Sequence, residues 1–156
     1  MGRMIAQLSL LVRDYDEAID FYVRRLGFVL IEDTPLGEAK RWVVVAPAAD
    51  GADAMGNGAI AGGGVSAAGA KLLLAKATDD AQLSRVGDQT GGRVFLFLYT
   101  DDIARDHAQL VTQGVRVVRE PAKMPYGTVL VFADLYGNLW DMIQPIDYDG
   151  KRNRVA

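Results

Sequence analysis

The chain has no cysteine and a single histidine among its 156 residues. The first lack excludes disulfides, thiolate nucleophiles and cysteine-type zinc sites. The second leaves His107 alone, with no neighbouring motif to activate a nucleophile, so no Ser/His/Asp constellation is credible. Long apolar runs are missing too. Nothing approaches the roughly 18 apolar residues of a membrane span. No charge of one sign dominates: the formal net charge is −3, which gives no electrostatic case for nucleic acid. The basic KRNR, Lys151 to Arg154, reads as a solvated end. The opening MGRMIAQLSLLVRDYD lacks a signal-peptide pattern, because its apolar run is short and meets charge at once. The expected location is the cytoplasm, with neither nucleic acid nor membrane as partner.

What is present is a pattern written twice. Residues 4–12 read as a buried strand. Asp14 then offers a helix N-cap, with Glu17 at capping-box spacing. Ala18, Phe21, Tyr22 and Leu26 share a helical face, and Gly27 is the expected stop. Strands are expected at 28–33, 41–47 and 71–77, with a short helix near 79–86. From RVFLFLYT the order repeats. Asp102 caps a helix running to Gln113, with Ile103, His107, Leu110 and Val111 on one face, and Gly114 ends it. Strands at 115–121, 127–134 and 138–145 complete the unit. A single domain over 1–156 is expected, made of two pseudo-repeats at 4–77 and 93–145. The Gly/Ala-rich stretch 51–70 interrupts the first. It buries little apolar area and reads as an insertion loop, the functional alternative being a lid. Its GNG and GGG are not followed by GK[ST], so no phosphate loop is present.

The residues that carry a family likeness are LSLLVRDYDEAIDFYVRRLGF, RWVVVAP, EPAKMPYG and DLYGNLWDMIQP. With the duplicated order they resemble the vicinal oxygen chelate superfamily, which contains glyoxalase I, bleomycin-resistance proteins and extradiol dioxygenases. The resemblance implies an α+β fold: two tandem βαβββ modules forming a curved, cup-shaped mixed sheet with the helices outside. It also implies a homodimer. Metal-dependent members place ligands on the first, fourth, fifth and last strands. By the family's spacing these positions are Gln7, an apolar stretch at Leu72 to Ala75, Phe95 and Asp141. Two of the four are apolar, so no metal and no cofactor are expected. The fold and cavity carry over and the metal chemistry does not.

Strand alternation then assigns a lining. Gln7, Ser9, Phe95, Phe97, Tyr99 and Asp141 point into the cup, with Leu11 and Ile143 continuing the series, while Trp140 and Met142 turn to the helices. Trp42 and Tyr126 join as wall and rim contacts. Arg41 reads as a solvated strand-end residue, with a clamp for an anionic ligand as the alternative. A mostly apolar, aromatic cavity with a few polar groups suits a planar small molecule. The expected function is metal-free binding of a hydrophobic or aromatic ligand. The alternative is a lyase, isomerase or dioxygenase with a non-standard site on Gln7 and Asp141, in which Asp141 or Tyr99 moves a proton. A third reading fills the cavity with side chains and leaves a subunit contact.

Overall fold

The computed structural model describes residues 2–48 and 69–146. Most of the 51–70 stretch and the KRNR tail lie outside the described residues. The chain divides into two compact units, Met1–Gly87 and Asp88–Ala156, and each is taken by itself.

The first unit runs β1 (Gln7–Val12), α1 (Tyr15–Ile19), a π-helical turn (Asp20–Arg25), β2 (Val29–Pro35), β3 (Arg41–Ala46), β4 (Lys71–Lys76) and α2 (Asp80–Leu83). The second runs β5 (Val94–Tyr99), α3 (Ile103–Thr112), β6 (Arg116–Met124), β7 (Gly127–Ala133) and β8 (Leu139–Pro145). Each unit builds one four-stranded mixed sheet, in the orders β1-β4-β3-β2 and β5-β8-β7-β6. The first and last strands of each unit pair in parallel and the other pairs are antiparallel. This is the α+β, βαβββ arrangement expected from the sequence.

Local chemistry explains why both helices start and stop where they do. Asp14 accepts a hydrogen bond from the Glu17 amide at 2.9 Å, and Asp102 accepts one from the Arg105 amide at 3.0 Å. Each satisfies an amide that the first turn leaves without a helical partner, an effect of about 1 kcal/mol. At the other ends, Gly27 and Gly114 take left-handed φ values of 79° and 70°. The amides of Phe28 and Val115 then bond back to the carbonyls of Tyr22 and Leu110, at 2.8 and 2.9 Å. Phe28 and Val115 are both buried, completing the same C-terminal motif twice.

The first helix departs from the regular period. After Ile19 it widens, with the Leu26 amide bonded to the Phe21 carbonyl five residues back. The wider turn lets three consecutive residues, Phe21, Tyr22 and Val23, all be buried. In α3 the face is narrower than expected. Ile103 and Leu110 are buried, but Val111 is 59% exposed. At 100° per residue Val111 lies about 80° around from Ile103, at the edge of the stripe.

One face of each sheet packs beneath its helix. In the first unit this face carries Leu10, Val12, Val43, Val45, Leu72 and Leu74, all buried under α1 and its continuation. In the second it carries Leu130, Phe132, Trp140 and Met142. Each such side chain contributes about 1.5–3 kcal/mol when fully buried. The rings of Phe132 and Trp140 stack 9° from parallel at 5.9 Å. Opposite faces of the two sheets carry the residues from which a site can be built.

Candidate ligand-binding face

The position of Asp141 is set by a turn. Asp134 is buried, and its carboxylate accepts from the amides of Tyr136, Gly137 and Asn138 at 2.9, 3.0 and 2.9 Å. The Asn138 side chain donates to the same carboxylate at 2.9 Å and accepts from the Gln89 amide at 3.3 Å. Such a closed polar network fixes the β7–β8 register. Ala133 then pairs with Leu139, and Asp141 falls opposite Val131.

From that register a cross-strand row follows: Phe97, Asp141, Val131 and Arg119, one from each strand. The adjacent row on the same face is Tyr99, Ile143, Val129 and Ala122. Neighbouring side chains in a row stand about 5 Å apart. Val131 and Ile143 are buried, while Phe97 is 64% and Tyr99 52% exposed. Asp141 combines two properties. Its Oδ1 is buried and has no hydrogen-bond partner among the described residues. Burial also raises its carboxyl pKa above the ordinary value, with the charge of Arg119 pulling the other way.

The sequence-expected lining divides between the two units. Phe97, Tyr99 and Asp141 are brought together on one face of the second sheet. Gln7, Ser9 and Trp42 belong to the first sheet, on the face away from α1. There Ser9, Leu73, Val44 and Glu32 form one row, and Gln7 pairs with Lys71. Tyr126 is exposed in the two-residue turn between β6 and β7, where its carbonyl accepts from the Ile146 amide at 3.2 Å.

Phe95 is placed differently from the expectation. The β5–β8 register shifts between Val94 and Leu96. One extra residue in a strand breaks the two-residue alternation, so Phe95 does not share a face with Phe97 and Tyr99. Its ring instead meets Trp140 edge-on, with centroids 6.2 Å apart. Phe95 is therefore a packing partner of Trp140. Arg41 differs from the expected solvated strand end: acids of its own unit hold it. It bonds Asp33 at 2.6 and 3.0 Å and Asp16 at 2.9 Å, and lies 5.2 Å from the centre of the Tyr15 ring. His107 is paired with Glu120 at 2.9 Å. Arg119, which the sequence reading missed, enters the site because the irregular pairing of β6 resets its side-chain alternation at that residue.

Metal-dependent relatives would need nitrogen or carboxylate donors on β1, β4, β5 and β8. Here the side chains that share the Gln7 face in β4 are Lys71, Leu73 and Ala75, and the neighbour of Asp141 in β5 is Phe97. Among the described residues, no three His, Asp or Glu side chains group closely enough to hold an ion. An ammonium and hydrocarbon do not fit a transition metal, whose sites need three or four good donors.

Comparison with known proteins agrees with this architecture. A sequence model of the Glyoxalase/Bleomycin resistance protein/Dioxygenase superfamily matches residues 4–142. The chain belongs to this superfamily. An uncharacterized protein of Shewanella frigidimarina is 48% identical to this glyoxalase-superfamily chain, covering 92% of it and 95% of the relative. Among solved structures, TnmS3, an antibiotic binding protein from Streptomyces sp. CB03234, is 31% identical with a TM-score of 0.63, covering 93% of this chain and 97% of that one. A glyoxalase/bleomycin resistance protein from the same Streptomyces strain is 32% identical, with a TM-score of 0.60 and coverage of 89% and 98%. No helix among the described residues is long and apolar enough to cross a membrane.

Proposed function

We propose that this protein binds a hydrophobic or aromatic small molecule, without a metal, on the open face of its second sheet. One observation carries the reading: two exposed rings, Phe97 and Tyr99, stand on the strand beside a carboxylate whose buried Oδ1 has no partner among the described residues. Exposed aromatic carbon beside an unsatisfied polar atom is the usual makeup of a small-molecule site. The likeness to an antibiotic binding protein at 31% identity supports a binding role. Titration with a planar polycyclic probe such as 1-hydroxypyrene, followed by its fluorescence, tests this. Saturable binding is expected, weakened up to about tenfold in Phe97→Ser, the loss of one stacking contact of roughly 0.5–1.5 kcal/mol beyond its buried area. Absence of saturable binding to the native chain would overturn the proposal.

A second reading has one observation in its favour, the raised proton affinity of Asp141. A carboxylate so placed is a competent general base, and a lyase or isomerase would use it to take a proton from bound substrate. Turnover that survives Asp141→Asn would remove this reading.

A further inference from the structure

We propose that Asp141 selects the ligand, requiring a hydrogen-bond donor, a hydroxyl or an amine on a planar ring system, rather than a plain hydrocarbon. This rests on the binding role proposed above and names the class of molecule it serves. An ionised carboxylate accepts and cannot donate, so the open valence at Oδ1 asks for an N–H or O–H. The register shows where that donor must sit. Phe97 is the direct neighbour of Asp141 on β5, and Tyr99 is one row further along the same face. A ring lying over Phe97 and Tyr99 brings a substituent on its edge over the Asp141 carboxylate about 5 Å away. Val131 and Ile143, both buried, close the floor on the far side with hydrocarbon that offers no competing donor.

The selection is negative as well as positive. A ligand without a donor would cover the still-exposed part of the Asp141 carboxylate and leave it unpaired, which is how polar sites reject near-isosteres.

The experiment compares three pyrenes on the full chain: 1-hydroxypyrene, 1-methoxypyrene and protonated 1-pyrenemethylamine. The native protein is expected to bind the hydroxyl compound about ten- to a hundredfold more tightly than the methoxy compound, the factor for one hydrogen bond to a charged acceptor. The ammonium compound also carries a donor and is expected to bind more tightly than the methoxy compound. Asp141→Leu should erase the hydroxyl preference while retaining methoxypyrene binding. If that variant does not fold, Asp141→Asn, which keeps a carbonyl acceptor, should show a reduced preference. Equal binding of hydroxyl and methoxy compounds by the native chain overturns donor selection and leaves the binding role standing. An ammonium compound bound no more tightly than the methoxy compound overturns donor selection as well. Saturable binding of none of the three overturns both this inference and the role it rests on.

Discussion

Replacing Asp141 by Asn should make the protein more stable at neutral pH. Asp141 has its proton affinity raised on folding, chiefly by burial. The folded state therefore holds the proton more tightly than the unfolded chain. Stability contributed by this group falls as pH rises from the ordinary value of 3.8 through the higher folded value, and the full penalty is present above both. Asparagine is neutral throughout and escapes it. A buried acceptor left unpaired costs about 1–3 kcal/mol. Asp141 is only part-buried and keeps an unpaired oxygen as an amide, so the gain from Asp141→Asn is at the lower end, about 1 kcal/mol. For a chain of this size that is about 2–4 °C in melting temperature. Thermal melts at about pH 7 and about pH 3 read it directly, because the carboxyl is protonated in both states at the lower pH and the advantage should vanish there. A variant less stable than the native chain at pH 7, or an equal gain at both pH values, would refute the reasoning.

Other consequences follow from single contacts. Phe97→Ser should change stability by less than about 0.5 kcal/mol, because its ring is already largely exposed, while weakening aromatic ligands; urea melts separate the two effects. Arg41→Met should destabilise by about 1 kcal/mol at neutral pH, since Arg41 bridges Asp33 and Asp16. The bond from Arg41 lowers the pKa of Asp33, so that contribution is present above the ordinary carboxylate range and is lost as pH falls through the lowered folded value; urea melts across acid pH should show the variant's deficit shrinking. Gly127→Ala should cost more than about 2 kcal/mol, because a Cβ there would lie 2.3 Å from the Gln144 carbonyl oxygen, and expression with circular dichroism would show it.

Much of the fold was legible because it is written in local chemistry. Asp14 and Asp102 cap through their own side chains, and Gly27 and Gly114 supply φ values that other residues avoid. The alternation in β8 placed Trp140 and Met142 under the helix and Asp141 opposite them, because that strand pairs with β7 without interruption. Reading failed where pairing is irregular or distant. The β5 bulge at Phe95 adds one residue, and nothing in RVFLFLYT marks which residue is extra. Strand β6 continues through Pro121 to Met124, where the sequence suggested an end; as an edge strand it tolerates a residue that donates no amide. Arg41 joins partners 8 and 25 residues away, a contact no local spacing announces. That Phe97, Tyr99 and Asp141 share a face was expected from the family's spacing followed by strand alternation, and Arg119 was hidden by the shifted register of its strand.

The decisive measurement is a crystal structure of the protein soaked with 1-hydroxypyrene in the presence of nickel and zinc. The account predicts density for the ring system over Phe97 and Tyr99, with its hydroxyl within hydrogen-bond distance of Asp141 Oδ1. A metal ion bonded to Asp141 instead would contradict it.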